Sequence, residues 1–348
     1  MDFPEKISFT ITNVCNLRCK MCGQWGEEGY VAGKFQGHKQ KMKLENWKRL
    51  VDEIAENKVD SILLRGGEPF LFSDILSLIE YINSKGVFVS IDTNGTMLKD
   101  YTGDIVRLCK EYNNKIHLTI SVDGPAEIHD NVRGIKGSFA SIKENLTLLH
   151  EEEKNAGCFI SKSITFTISP YSYRGLGKMP DVARSLGINT ICIVPYYYVP
   201  EYAGKEYEEE LQKLGASAFS WHGFHHEESG IDFEEFRTQY EEYMNNLGEV
   251  KTFPYMPMDI EDYRKWFGEY RSVVLKENCS NIEKLIDIQP DGWANFCVDF
   301  PDYSIGNVIE STIKEVWNSS KAEAFRKYRR KKPLAVCWRC GAKYMSEI

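Results

Sequence analysis

Three cysteines, Cys15, Cys19 and Cys22, stand in the segment TNVCNLRCKMC with three and then two residues between them. That spacing lets one loop wrap three thiolates around a single object and leaves one coordination position open. A closed structural zinc site takes four ligands, and the nearest fourth candidate, His38, lies beyond a glycine-rich loop. An iron–sulfur cluster tolerates three cysteines when its fourth iron is reserved for a substrate or cofactor. The polar flanks Asn13, Asn16, Arg18, Lys20 and Gln24 argue against three unrelated core cysteines. Four more, Cys279, Cys297, Cys337 and Cys340, gather late in the chain. Two distant cysteines plus a C-x-x-C pair suit either a closed cluster or a zinc ribbon. Cys109, Cys158 and Cys192 complete the ten and read as small buried hydrophobes.

The rest of the composition bounds what these thiols serve. Lys plus Arg number 43 against 51 Asp plus Glu, a net charge of −8, which offers no basic field for a nucleic-acid backbone. The start, MDFPEKISFTITNVC, lacks a basic segment followed by an apolar one, and no stretch approaches the roughly 18 apolar residues of a membrane span. The expectation is a cytoplasmic protein with neither nucleic acid nor membrane as partner. In a reducing compartment ten cysteines are not a disulfide framework, which turns attention back to metal.

Elements that could position the cysteines follow from the hydrophobic period. Short β-rich runs at Lys6–Thr12, Val59–Arg65, Val87–Asp92, Lys115–Val122, Phe159–Ser169 and Ile188–Pro195 alternate with amphipathic stretches. The stretches are Leu44–Glu56, Ser73–Lys85, Leu98–Tyr112, Ser138–Asn155 and Gly175–Leu186. Alternating β and α units imply a parallel sheet with right-handed crossovers, either doubly wound or a partial barrel, and both place their sites at the carboxyl ends of strands. From about Tyr196 an aromatic, acidic segment intervenes, with helices expected at Phe233–Leu247 and Ile260–Tyr270. A hairpin is expected from Leu285–Gln289, the turn Pro290-Asp291-Gly292 and Trp293–Val298, then one helix from about Ser311 to Arg330.

With its C-x3-C-x2-C motif after the first strand, the sequence resembles the radical S-adenosylmethionine (radical SAM) superfamily. Other segments join it in order: Gly66-Gly67-Glu68-Pro69, Thr93-Asn94-Gly95, Ser121-Val122-Asp123-Gly124-Pro125, His129-Asp130, Arg133-Gly134 and Gly137-Ser138-Phe139. The series is similar to the anaerobic sulfatase-maturase-like branch. The resemblance implies a partial (β/α)6 TIM-type barrel. Its Cys15, Cys19 and Cys22 would hold a 4Fe–4S cluster with S-adenosylmethionine. Gly66, Gly67, Glu68, Pro69, Asn94, Ser121, Asp123 and Arg133 would contact that cofactor, the GGEP segment at its methionine amino group, Ser121 at its ribose and Arg133 at its carboxylate. A guanidinium suits a carboxylate because it donates two parallel hydrogen bonds.

The late cysteines fit the same family. Twelve residues separate Cys279 from Gly292 and four separate Gly292 from Cys297, which resembles the opening of SPASM and twitch domains. Ser304–Val308 and Glu315-Val316-Trp317 resemble the segment that follows. A full SPASM domain carries seven cysteines for two auxiliary clusters; four thiolates here imply a truncated, twitch-like α+β domain with one auxiliary 4Fe–4S cluster. The expected division is a barrel at 1–196, a linker or lid at 197–278 and the cluster domain at 279–348.

The implied chemistry is reductive cleavage of S-adenosylmethionine to a 5′-deoxyadenosyl radical that abstracts a substrate hydrogen, with net two-electron oxidation or bond formation. A reductase such as flavodoxin or ferredoxin would supply electrons. Related maturases place an aspartate just after the equivalent of Cys297, which makes Asp299, one residue further on, the candidate base; a turn aspartate is the plainer reading. Only 14 residues precede Cys15, so no leader-binding domain is expected there. This favours a small-molecule substrate, with peptide modification as the alternative. The competing class is a non-catalytic iron–sulfur or zinc protein. Among the remaining motifs, His222, His225 and His226 read as loop residues, Tyr196–Tyr198 as a barrel-mouth lining or aromatic packing, and the basic run Arg326–Lys332 as a solvated helix end.

Overall fold

The computed structural model describes residues 2–32, 40–274 and 279–343; His38 lies outside the described residues. Alternation of side chains builds the sheet. β1 (Lys6–Thr12), β2 (Ser61–Gly66), β3 (Phe88–Thr93), β4 (Ile116–Ser121), β5 (Ser161–Ile168) and β6 (Thr190–Pro195) pair in parallel in chain order. Six strands match the six sequence runs, each within two residues at either end. The crossovers carry α1 (Leu44–Glu56), α2 (Ile75–Ser84), α3 (Thr102–Glu111), α4 (Ala126–Arg133), α5 (Ser138–Ala156) and α6 (Met179–Ser185). In α1 the buried stripe is Trp47, Leu50, Val51 and Ile54, the i, i+3, i+4 set that a helix needs to cover a sheet.

Period-two alternation separates core from cavity. Ile62 and Leu64, Val89 and Ile91, Leu118 and Ile120, Ile164 and Phe166 are fully buried on one face of the sheet. Their neighbours on the other face, Arg65, Asp92, Thr119, Ser121, Thr165 and Thr167, line an interior cavity. This is a partial barrel with a polar, hollow inside, unlike the packed interior of a closed (β/α)8 barrel.

Several elements went unread in the sequence or read differently. α4 was hidden among turn residues. Two more lie in the aromatic, acidic segment: α7 (Glu201–Lys213), and β7 (Lys251–Pro254) beyond α8 (Phe233–Asn246). β7 extends the sheet in parallel with β6; it is short, half exposed and ends in proline, as an edge strand allows. After α9 (Ile260–Gly268) come α10 (Asn281–Lys284), β8 (Leu285–Ile288), β9 (Trp293–Asn295) and β10 (Gly306–Asn307). The expected hairpin forms, and β8 pairs in parallel with β1, so the sheet order is β10-β9-β8-β1-β2-β3-β4-β5-β6-β7. The single helix expected over 311–330 is two, α11 (Ile313–Trp317) and α12 (Ser320–Arg329). The break falls at Asn318-Ser319, where the Ser319 hydroxyl accepts from the Ala322 N–H and starts a new helix. No helix among the described residues is long and apolar enough to cross a membrane.

The β1/β8 junction buries a carboxylate. Asp287 accepts from the Thr10 hydroxyl at 3.3 Å and from Gln289 Nε2 at 2.5 Å, and burial raises its carboxyl from the usual 3.8 to about 6. An acid whose pKa is raised by folding holds its proton more tightly in the folded state. Its contribution is therefore full below 3.8 and is lost as pH rises through about 6. The loss is about 3 kcal/mol at most. Asp287→Asn keeps an acceptor for Thr10 and is expected to flatten this part of the pH profile and raise the melting temperature near pH 7. Thermal unfolding near pH 4 and near pH 7 checks it; an unchanged slope would rule out Asp287 as its source.

Candidate active site

The three-cysteine loop leaves the end of β1 and is fitted to the ends of β2 and β3. A Cβ on Gly66 would lie 2.3 Å from the Thr12 carbonyl oxygen, and one on Gly67 would lie 2.3 Å from that of Val14. The glycine pair therefore exists so that β2 can touch the backbone entering Cys15. Glu68 is fully buried, and its carboxylate is taken up by the protein: it accepts from the Thr93 hydroxyl at 2.7 Å, the Asn94 N–H at 2.8 Å and the Phe70 N–H at 3.2 Å. Pro69 opens the short 3-10 turn that Glu68 caps. The Asn94 amide donates to Asn16 Oδ1 at 2.8 Å, inside the cysteine loop, and Asn16 donates to the Thr96 hydroxyl. Glu68 and Asn94 thus clamp the loop to the sheet.

On the far side, Arg18 and Lys20 N–H groups donate to the carbonyls of Arg133 and Val132 at the end of α4. The Arg133 guanidinium is buried, ion-paired with fully buried Asp123 at 2.6 Å, and reaches the Cys19 sulfur at 3.6 Å. His129 accepts from the Asp123 N–H; burial, then the Arg133 charge, holds its ring at about 3, hence neutral. Asp130 accepts from the Gly137 and Phe139 N–H groups and the Ser138 hydroxyl, which explains the Gly-Ser-Phe segment as the capped start of α5. Ser121 stands at the cavity wall.

All three cysteines line one cavity of about 750 Å³, together with Gly66, Gly67, Asn94, Ser121, Arg133 and Asp299. The donor chemistry fits three anionic sulfurs: Cys15 accepts from the Leu17 N–H and Cys22 from the Trp25 N–H, both at 3.4 Å, and Cys19 faces a guanidinium. Burial lifts the Cys19 thiol to about 12 even against Arg133, so a metal's own charge is what would hold it as thiolate.

Cys279, Cys297, Cys337 and Cys340 act on one another from three segments: the lead into α10, the stretch after β9, and the 3-10 turn Ala335–Arg339 with the residue that follows it. Burial and mutual repulsion push the Cys297 and Cys340 thiols up, each acting on the others. Among the described residues no three His, Cys, Asp or Glu side chains converge at single-ion distances. A cube of four irons takes its sulfurs from wider apart. Asp299 lies between the two cysteine groups: it pairs with Arg65 at 3.3 Å inside the cavity and acts electrostatically on Cys340. The three histidines do not converge. His222 stacks on Trp221 in a 3-10 turn, Ser220–Phe224, and His225 meets Glu227 at 3.1 Å.

Several wall residues had no motif to announce them. Arg65, a lone charge in an apolar strand, faces the carboxylates of Asp299, Asp287 and Asp92. Tyr197, whose ring lies 2.8 Å from where a Gly341 Cβ would be, separates the cavity from the Cys340 turn. Cys192, read as a packing residue, points into the cavity; Cys109 is fully buried, as expected, and Cys158 packs half-buried beside it. Arg326 and Arg329 of the basic run are buried rather than solvated.

Residues 9–168 match the family model of the Radical SAM superfamily, and residues 279–341 match that of SPASM, an iron–sulfur cluster-binding domain. The chain belongs to the radical SAM superfamily. This radical SAM enzyme is 23% identical to the antilisterial bacteriocin subtilosin biosynthesis protein AlbA of Bacillus subtilis, over 99% of this chain and 68% of that protein. It is 26% identical to the Fe-coproporphyrin III synthase of Methanosarcina barkeri, over 96% of this chain and 80% of that one. The crystal structure of Streptococcus suis SuiB bound to S-adenosylmethionine superposes with a TM-score of 0.66 at 14% identity, covering 94% of this chain and 68% of that chain, a likeness of fold. The radical SAM enzyme binds a 4Fe–4S cluster with S-adenosylmethionine and carries auxiliary iron–sulfur chemistry in its SPASM domain. It requires a reductant.

Proposed function

We propose that this radical SAM enzyme carries out a net two-electron oxidation of a small molecule held between the two cysteine groups. The observation that carries the reading is that Asp299 lines the same cavity as Cys15, Cys19 and Cys22 and adjoins Cys340 electrostatically. The ligand sets are Cys15, Cys19 and Cys22 for the first cluster and Cys279, Cys297, Cys337 and Cys340 for one auxiliary cluster. When bound, the first cluster and S-adenosylmethionine supply a 5′-deoxyadenosyl radical that removes a substrate hydrogen atom, and the auxiliary cluster supplies an electron acceptor.

The chain's own part is position and proton transfer. Arg133 and Ser121 orient the cofactor, while Glu68 and Asn94 hold the loop that presents the cysteines. Arg65 holds one oxygen of Asp299, which takes the proton that leaves the substrate with the second electron. The buried walls exclude water from the radical. A flavodoxin- or ferredoxin-like donor in the cytoplasm completes the cycle. The domain division at 196 and 278 belongs to this reading.

Cavity size supports a small substrate: about 750 Å³ falls within the roughly 300–1,000 Å³ of single-ligand sites, yet cofactor and substrate must share it. A second reading, peptide modification, is favoured by the near-complete coverage of this chain by AlbA, whose name is that of a bacteriocin biosynthesis protein; a peptide would insert one side chain. Anaerobic reconstitution is expected to give about eight irons per chain and slow 5′-deoxyadenosine formation with dithionite. Zinc without cleavage would end the proposal. Low-molecular-mass and peptide fractions of a cell extract, tested for stimulation of 5′-deoxyadenosine formation, separate the two substrate classes.

With a stimulating substrate in hand, Asp299→Asn should uncouple the reaction. Product per 5′-deoxyadenosine is expected to fall by about 100-fold or more, while 5′-deoxyadenosine itself still forms. Unchanged stoichiometry would remove Asp299 from the base role.

A further inference from the structure

The inner faces of β3, β4 and β5 carry a wall of hydroxyls. Ser90 of β3, Thr119 and Ser121 of β4, and Ser163, Thr165 and Thr167 of β5 all line the cavity. Strand register sets Thr119 opposite Ser163 and Ser121 opposite Thr165. Neighbouring strands lie about 4.8 Å apart and inward positions recur about every 6.7 Å along each strand, so these groups form a regular grid. Toward the amino end of the strands His117 is fixed between two hydroxyls, Nδ1 at 2.8 Å from that of Ser161 and Nε2 at 2.9 Å from that of Ser163. Higher up the fold leaves hydroxyls unused: among the described residues no hydrogen bond joins those of Ser90, Thr165 or Thr167 to another protein group. Threonine offers a strand little that valine would not, since both are β-branched, and a hydroxyl turned into an enclosed space needs a partner. A hydroxyl both donates and accepts, and this wall suits a ligand that does the same.

The remaining lining is of another kind. Tyr30, Tyr197, Phe224, Phe253 and Tyr255 come from loops and from the edge strand β7. Such rings take the apolar face of a ligand, because polarised C–H groups are drawn to the negative face of the π system. An acidic group finds little welcome. The Arg65 guanidinium is already paired with Asp299 at 3.3 Å, and Lys6 stands at the first position of β1, at the rim away from the cysteine loop. A peptide main chain finds no free edge to extend, since β1 to β6 are each paired on both sides.

We propose that the substrate is a polyhydroxylated ring without an acidic group, its hydroxyl rim on the β3–β5 wall and one C–H face on the aromatic side. The proposal rests on the reading of a small molecule held in the cavity of Cys15, Cys19 and Cys22.

The experiment uses the anaerobically loaded full-length enzyme. Formation of 5′-deoxyadenosine with dithionite alone tests the underlying reading, and its absence would end that reading whatever the substrate. The low-molecular-mass extract fraction that stimulates this formation is then passed over an anion exchanger and treated with periodate, which cleaves carbon–carbon bonds between neighbouring hydroxyls, or with a broad peptidase. Stimulation is expected to pass the exchanger, to survive the peptidase and to be lost with periodate. Thr165→Val is expected to raise about tenfold the amount of fraction needed for half-maximal stimulation, whereas Thr165→Ser, which keeps the hydroxyl, should stay near the parent. Stimulation that survives periodate, is retained on the anion exchanger or resides in the peptide fraction overturns the proposal while leaving the cofactor site standing. Equal responses of the two Thr165 variants overturn the place given to the hydroxyl wall.

Discussion

Cys19→Ala is expected to bring 5′-deoxyadenosine formation below detection. Of the three loop cysteines, Cys19 is the buried one, and its sulfur is the one that faces the Arg133 guanidinium, itself anchored by Asp123. Removing it leaves two sulfur ligands and an unpaired positive edge in a buried wall. A three-thiolate site has no spare ligand, and even losses around a site, one step removed from the metal, cost about 10–100-fold in affinity. Iron content should fall by about four per chain while the auxiliary set stays loaded. The assay is dithionite-driven turnover of S-adenosylmethionine under anaerobic conditions, with product separated by chromatography. Wild-type activity in the variant would show that the loop is not the cofactor site.

The second large effect concerns Asp302, five residues beyond Cys297. Its carboxylate is 8% exposed and accepts four hydrogen bonds: from Tyr207 Oη at 2.9 Å, the Phe219 and Ser220 N–H groups at 3.0 Å and the Ser220 hydroxyl at 2.5 Å. These donors belong to α7 and to the start of the 3-10 turn Ser220–Phe224. That turn in turn rests on the loop after Cys22. A Cβ on Gly223 would lie 1.9 Å from the Gly23 carbonyl oxygen, and a Cβ on Gly23 would strike the Phe224 ring. Asp302 therefore ties the late, cysteine-bearing segment to α7 and the Ser220–Phe224 turn, and that turn meets the first cysteine loop. Asp302→Ala strands four buried donors at about 1–3 kcal/mol each, so a loss of about 4 kcal/mol or more is expected. That corresponds to a drop in melting temperature on the order of 10 °C, read on the anaerobically loaded enzyme. A drop of only a degree or two would mean that the Ser220–Phe224 turn is held by its aromatic packing alone.

Much of the frame was legible from residue patterns. β-rich runs of Ile, Val, Leu and Phe alternating with amphipathic stretches gave the six parallel strands, while the choice between a doubly wound sheet and a partial barrel came with the family resemblance and the inward face with the fold. The 3.6-residue stripe of α1 came through intact because its burial is local to one face. Elements were missed where the local signal was weak. β7 has four residues and a terminal proline, and its place is set by pairing with β6. The break between α11 and α12 depended on Ser319 acting as a cap, which competes in sequence with a continuous helical pattern.

The candidate site divides the same way. Cysteine spacing, 3 and 2 between the early thiols and a C-x-x-C pair late in the chain, marked two groups of candidate metal ligands, and the family resemblance added iron and sulfur where spacing alone left zinc open for the late group. The family resemblance also marked Gly66 and Gly67, although the reason, contact with the Thr12 and Val14 carbonyls, belongs to the fold. Only tertiary structure decided that Glu68 holds Asn94 and Asn94 holds the cysteine loop through Asn16, that Arg65 and Asp299 meet across the cavity, and that Arg329 leaves its exposed run to be buried. The physical reason is one of range. Ligand spacing and periodic burial are properties of neighbours along the chain. The partner of a buried charge is chosen by whichever distant segments the sheet brings together, and here Arg65 and Asp299 are 234 residues apart.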